Sequence, residues 1–315
     1  MKTRNSIVVC IVLLLGAILG SCGAGQDPTL SIALIPVMDT LPFYVAEQNG
    51  YFDDEGITIE LVPVKSPTER DALLQAKEVD GVMTDLMTVG LFNRDEPQVK
   101  IVSMARKSYP DSPLFRLLSA PDSGIVSPEQ LAGVKIGISQ NTVIEYITDR
   151  MLENSGVPKD QIAIEEISAI PVRFEQLMAG QAQAATLPDP LAQGAMAAGA
   201  NLVLDDSAFS EYSHSVLVFD LKVLKEKPET IVKFLIAWDK ATEEINASPE
   251  SYRSLLIEKG RVPESIQGTF TMPPFPRKEI TSEAQWSDVV KWLQEKGLIH
   301  RVIPYDDAVD TSFLK

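Results

Sequence analysis

Apolar and polar positions along this chain switch repeatedly between two periods. Residues 30–37 form an apolar, β-prone run, and 57–62 (Ile-Thr-Ile-Glu-Leu-Val) alternate with period two, the pattern of a strand with one buried face. Between them, Pro42 suits the first turn of a helix, Asn49-Gly50 suits its end, and 53–56 (Asp-Asp-Glu-Gly) read as a turn. Ser66-Pro67-Thr68-Glu69 has capping-box spacing and opens a helix reaching Lys77, after which 79–84 and 99–104 read as strands. A second series begins near Leu114, with strands expected at 134–139, 162–167, 184–187, 202–204 and 212–219 and helices at 143–154, 171–179 and 190–198. The first of those helices carries Val143, Ile144, Ile147, Met151 and Leu152 on one face, and Gly156 stops it. Beyond 219 the pattern is mostly helical, at 228–246, 249–259 and 283–296.

Strand–helix alternation predicts an α/β fold with mainly parallel sheets. Two such series with a helical tail predict two lobes, one built from 30–112 and 212–315 and the other from 113–211. The chain is expected to cross between them at Ser112-Pro113 and at the polar stretch 205–210.

The amino terminus differs from the rest. Lys2 and Arg4 precede about 13 mostly aliphatic residues, too few to span a membrane as a helix, so 1–21 read as a cleaved export signal. Its ending, Leu19-Gly20-Ser21-Cys22, resembles the bacterial lipobox. That resemblance makes Cys22 the lipid-bearing first residue of an extracytoplasmic, palmitate-carrying lipoprotein, with 22–29 as a tether. Cys10 leaves with the signal, so no disulfide framework remains and the fold must rest on its core. Losing Lys2 and Arg4 moves the net charge from −16 to −18, which disfavours a nucleic-acid partner.

Four segments then occur in a telling order. They are 41–57 (Leu-Pro-Phe-Tyr-Val-Ala-Glu-Gln-Asn-Gly-Tyr-Phe, then Glu55-Gly56-Ile57), 79–85 (Val-Asp-Gly-Val-Met-Thr-Asp), 131–139 (Leu-Ala-Gly-Val-Lys-Ile-Gly-Ile-Ser) and 177–185, with Pro188-Asp189-Pro190 and Gly199-Ala200 beyond. Together they resemble the nitrate/sulfonate/taurine-type solute-binding proteins of ABC importers, including those for thiamine-pyrimidine precursors. The resemblance implies a type II periplasmic-binding-protein fold, two α/β lobes joined by two crossovers with a ligand cleft between them. It also implies a small-molecule ligand, delivery to a membrane permease driven by a cytoplasmic ATPase, and a monomer. The family more often has Glu where this chain has Asp189.

Ligands in open α/β sheets sit beyond the carboxyl ends of strands, where helix amino termini converge. That rule selects Asp39 and Thr40 after the first strand, and Thr84 and Asp85 after another. In the second lobe it selects Ser139, Asn141, Thr142 and Asp189. Each has a structural reading beside the functional one: Thr142 and Glu145 have capping-box spacing, and Asp85 and Asp189 fit N-cap positions. Thr40 can cap, which leaves Asp39 freer to meet ligand, so Asp39→Ala is expected to weaken binding without affecting the apo protein. Tyr109, near the first crossing, joins the candidate set as a stacking surface, with Phe115, Tyr146 and Tyr212 behind it and core packing as the alternative. Arg106, Arg116 and Arg173 read as anion partners or, more commonly for isolated arginines, solvated surface ion pairs. Helix starts favour an anion such as a sulfonate, whereas three aspartates favour N–H donors. The balance tips toward a planar nitrogen heterocycle, with a sulfonate close behind.

An enzymatic reading has little to work with. His214 and His300 are the only histidines, and GxSxG, Walker A, GxGxxG and HExxH motifs are absent. No metal site and no cofactor are expected, and His214, at the expected return crossing, reads as a hydrogen-bonded structural histidine with ligand contact as the alternative. The alternatives are a ligand sensor outside transport, or an enzyme of the same superfamily such as a pyrimidine-precursor synthase.

Overall fold

A computed structural model of the chain describes residues 27–314. The signal at 1–21, Cys22 and the first part of the tether lie outside the described residues. Two five-stranded sheets organise the rest. The first contains β1 (Thr29–Leu34), β2 (Thr58–Pro63), β3 (Gly81–Thr84), β4 (Val99–Lys107) and β10 (His214–Asp220), in the order β2-β1-β3-β10-β4. The second contains β5 (Phe115–Ser119), β6 (Lys135–Ile138), β7 (Ala163–Glu166), β8 (Ala184–Pro188) and β9 (Asn201–Asp205), in the order β7-β6-β8-β5-β9. The helices are α1 (Leu41–Gln48), α2 (Tyr51–Asp54), α3 (Pro67–Gln75), α4 (Leu86–Phe92), α5 (Val143–Asn154), α6 (Ile170–Met178) and α7 (Leu191–Ala197). After β10 follow α8 (Leu221–Glu226), α9 (Pro228–Ala247), α10 (Arg253–Lys259), α11 (Glu283–Glu295) and α12 (Tyr305–Ala308).

Each sheet has one reversed strand, β10 in the first and β5 in the second, antiparallel to both neighbours. Chain direction explains this. The chain leaves the first sheet at the carboxyl end of β4 and enters the second at the edge facing it, so β5 starts where the other strands end. The return crossing does the same to β10. Both reversed strands therefore offer their first residues to the space between the sheets.

The two crossings are pinned together by Asp206. Its buried carboxylate accepts from Ser108 Oγ at 3.0 Å and from the backbone N–H groups of Leu114 at 2.9 Å and Phe115 at 3.1 Å. Burial, the largest effect, pushes its pKa up to about 6 against the opposing hydrogen bonds.

The first sheet packs α1 and α9 on one face, where Phe43, Phe234 and Trp238 interlock with ring centroids 4.7–6.2 Å apart. On the other face, α4 lies against α11. Only the N-cap position of Asp85 announces α4 in the sequence, because Leu86-Met87-Thr88-Val89-Gly90 is buried all round and shows no amphipathic period. Gly90 lets α11 pack close, since a Cβ would sit 2.3 Å from Leu293 Cδ1 and the leucine would have to shift. Helix α11 also holds the second lobe: Arg150 of α5 donates to both carboxylate oxygens of Asp288, at 3.0 and 3.1 Å. Trp292 Nε1 donates to Asp149 at 2.9 Å, and Lys296 lies 2.7 Å from the same carboxylate and 2.9 Å from Glu145.

Candidate ligand-binding cleft

Between the sheets lies a cleft partly open to solvent. Its wall from the first lobe carries Asp39, Arg70, Thr84, Asp85, His214 and Ser215. Its wall from the second lobe is mostly apolar, with Leu114, Phe115, Val143, Ile144, Ile170 and Pro188, and Asp189 as the polar exception. At the rim, Thr68 Oγ1 and Ser168 Oγ meet across the lobes at 3.2 Å.

Of the nine sequence-selected positions, Asp39, Thr84, Asp85 and Asp189 line this cleft. Asp39 follows β1 on a single 3-10 turn; it accepts from Arg106 Nη1 at 3.0 Å and from Ser215 Oγ at 2.8 Å. Asp85 caps α4, accepting from Thr88 N at 2.8 Å, with Arg70 Nη2 at 3.7 Å. Asp189 is not the N-cap of α7, a place taken by Pro190. Its carboxylate is clasped by Arg116 Nε and Nη2, both at 3.0 Å, and accepts from Gln193 at 2.8 Å.

The other five positions do not line the cleft. Thr40 is fully buried and makes no side-chain cap; its hydroxyl donates to Val37 O at 2.7 Å. Tyr109 sits in the first crossing, with Lys107 Nζ 5.3 Å from its ring centroid. Ser139 Oγ donates to Ser168 O at 3.0 Å and accepts from Arg173 Nη1 at 2.9 Å. Thr142 caps α5 by accepting from Ile144 N at 3.2 Å, and donates to Ser139 O at 2.8 Å. Asn141 is exposed in the left-handed region at φ 59°, and its N–H donates to Glu145 at 2.7 Å. Gln140 N donates to Glu166 at 2.6 Å, so the chain's own carboxylates already use the N–H groups before α5.

The arginines depart from the surface ion pairs expected of them. Arg106 and Arg173 are buried, and Arg116 is nearly so. Deep packing becomes tolerable for Arg106 and Arg116 because each is paired with an aspartate on the cleft wall. Arg173 has no carboxylate partner; burial lowers its pKa to about 9, and its Nε and Nη2 lack hydrogen bonds. Among the aromatics, Phe115 lines the cleft, while Tyr146 is buried edge-to-face against Trp292 with centroids 5.5 Å apart.

Strand-end reasoning passed over His214 and Ser215, because they stand at the start of β10. The missed signal was directional: a strand entered from the other lobe brings its first residues to the cleft. His214 is 3 % exposed, and burial, with Lys107 adding to it, lowers its pKa to about 4, so the ring is neutral. Its Nε2 lies 3.3 Å from Thr281 Oγ1, whereas its Nδ1 has no partner. Thr84 Oγ1 is likewise buried and unpaired. Burying a polar atom unpaired costs about 1–3 kcal/mol, so such atoms call for explanation.

Two α/β lobes, two crossings and a cleft at the strand ends define a type II periplasmic-binding-protein fold. The chain belongs to the NMT1/THI5-like family, whose pattern matches residues 38–252. It is 23 % identical to a formylaminopyrimidine-binding protein of Halalkalibacterium halodurans over 98 % of both chains. It is 22 % identical to a putative aliphatic sulfonates-binding protein of Bacillus subtilis, over 100 % of this chain and 96 % of the other. A yeast 4-amino-5-hydroxymethyl-2-methylpyrimidine phosphate synthase, THI11 of Saccharomyces cerevisiae, is 26 % identical over 66 % of this chain and 64 % of its own. Among solved structures, the alkanesulfonate-binding protein SsuA from Xanthomonas axonopodis pv. citri bound to MOPS superposes with a TM-score of 0.74 at 14 % identity, over 91 % of this chain and 99 % of that one.

Proposed function

We propose that this protein is the extracytoplasmic solute-binding component of an ABC importer. It captures a small organic molecule by lobe closure and hands it to a membrane permease. In this reading it makes and breaks no bond, and the lipid on Cys22 keeps it at the membrane. Full-length similarity to proteins named for binding supports the receptor reading over the synthase one, since the synthase match covers about two-thirds of each chain.

The single observation that carries the ligand class is the pairing of charge in the cleft. Three carboxylates, Asp39, Asp85 and Asp189, stand on its walls, with Arg106 and Arg116 behind two of them and Arg70 shared between Asp85 and Asp71. A free anion would meet carboxylates first and find no uncommitted cation among the described residues of the wall. Paired in this way, the three aspartates no longer call for N–H donors by themselves, and the charge pairing supports the heterocycle preference on a different ground. An uncharged ligand fits better than a sulfonate, and a planar nitrogen heterocycle fits the narrow, largely apolar walls.

A thermal-shift screen against aminopyrimidines, flavins, sulfonates, nitrate and amino acids tests this. Ligand at 100 times its dissociation constant should stabilise the protein by about 2.7 kcal/mol. Stabilisation by a sulfonate alone would overturn the ligand class, and no response to any class would favour the sensor reading.

A further inference from the structure

We propose that His214 Nδ1 and Thr84 Oγ1 are the atoms that read the ligand, and that the ligand presents to them an uncharged edge bearing both a hydrogen-bond donor and an acceptor. This inference rests on the receptor reading above and specifies how that cleft chooses.

Three observations converge on the pair. Both residues line the cleft, and in each the named atom is buried and has no partner. The other aspartate and serine groups on the first lobe's wall are committed to neighbours: Asp39 to Arg106 and Ser215, and Asp85 to Thr88 and Arg70. The strand register then sets their spacing. Thr84 stands opposite Val216, two residues along β10 from His214, so both side chains rise from one face of adjacent strands. The Cβ atoms of diagonal neighbours of this kind are about 7 Å apart or less. Two side chains rooted that close can reach the same edge of a single ring, with one hydrogen bond from each.

The character of the ring follows from its surroundings. Burial and the nearby Lys107 disfavour a second proton on His214, so Nδ1 offers one neutral donor or acceptor. Which of the two is set by the exchange between Nε2 and the Thr281 hydroxyl. The Thr84 hydroxyl serves either role by rotating. A ligand edge carrying both a donor and an acceptor satisfies the pair in either tautomer. A sulfonate offers acceptors only and brings a charge that neither atom compensates.

The test is isothermal titration at pH 8 with 4-amino-2-methylpyrimidine and with methanesulfonate, on the wild type and three variants. An Asn side chain places its amide near Nδ1, whereas a Gln side chain places it near Nε2. His214→Gln keeps the bond to Thr281 and loses the cleft-facing atom; His214→Asn does the reverse. We expect the pyrimidine to bind at least 100-fold tighter than methanesulfonate. His214→Gln and Thr84→Val should each weaken it about tenfold or more, and His214→Asn by less than about threefold. A merely structural histidine would show the opposite order of Asn and Gln. Tighter binding of methanesulfonate, or wild-type affinity in both His214→Gln and Thr84→Val, overturns the assignment. Small-angle scattering separates this from failure of the receptor reading. If another ligand closes the lobes and the variants bind it normally, the assignment falls alone; if no small molecule closes the lobes, both fall.

Discussion

The two walls of the cleft are built from the same parts and spend them differently. In the second lobe, the loop before α5 has every feature of an anion site: Ser139, Asn141 and Thr142, free N–H groups and a helix start. Its Ser139 and Thr142 hydroxyls and the N–H groups of Gln140 and Asn141 are engaged internally, by Ser168, Arg173, Ile144, Glu166 and Glu145. What that lobe turns to the cleft is mainly apolar, with Phe115, Val143 and Ile144 among its residues. In the first lobe, Thr84 at the end of β3 and His214 at the start of β10, both on the cleft wall, each keep a buried polar atom unpaired. The difference implies a division of labour in which the first lobe recognises and the second covers. Lobe closure then gains its energy from apolar contact while specificity is decided on one side.

The largest effect expected from breaking this comparison lies in the paired aspartates. Asp39→Ala leaves Arg106, which is 1 % exposed, with its buried charge uncompensated. Removing one partner of a buried pair costs about 3–5 kcal/mol. Urea denaturation of the apo variant should show that loss, contrary to the mild effect expected from sequence. Asp189→Ala should cost less, about 1–2 kcal/mol, because Arg116 retains Asp205 at 3.6 Å and reaches solvent. Equal losses in the two variants would mean that the walls do not differ in how deeply their charges are held.

This contrast also marks how far the sequence was legible. Period and punctuation located most strands and the long helices, because burial of one face writes itself into the pattern. Helix α4 was legible only in its Asp85 cap, because Leu86 to Gly90 are all buried and no amphipathic period follows. The cleft positions Asp39, Thr84, Asp85 and Asp189 follow from the rule that ligands lie beyond strand ends. His214 obeys the complementary rule for a reversed strand, and the reversal of β10 appears only once the crossings are seen. Partnership was the deepest omission. Nothing in the spacing of Asp39 and Arg106 along the chain, or of Asn141 and Glu145 as against Thr142 and Glu145, says which side chain will answer which N–H or carboxylate.

A second, smaller effect concerns acid. His214 has its folded pKa lowered to about 4, so as pH falls through 6.5 the unfolded chain takes up a proton that the folded one refuses. Stability from this group is complete above 6.5 and is lost toward 4. Asp206 has its folded pKa raised to about 6, so its ionised form penalises the fold at neutral pH, and that penalty is relieved as pH falls from 6 toward 3.8. The cleft and the hinge therefore oppose each other over the same window. Asp206→Asn should make stability fall more steeply between pH 6.5 and 4.5 than in the wild type, and His214→Gln less steeply, as read from urea midpoints at each pH. Parallel pH profiles for both variants and the wild type would show that neither group titrates as its burial dictates.

The smallest effect tests the second lobe directly. Thr142→Ala removes the hydroxyl that accepts from Ile144 N and donates to Ser139 O. Loss of a cap of this kind costs about 1 kcal/mol. Because the hydroxyl is already committed on both sides and does not line the cleft, ligand affinity should stay within about twofold of the wild type. Calorimetric titration of the variant with any ligand that the wild type accepts decides the matter. A tenfold loss of affinity at an unchanged melting temperature would place the start of α5 against the ligand. The second lobe would then recognise as well as cover, and the asymmetry between the walls would be lost.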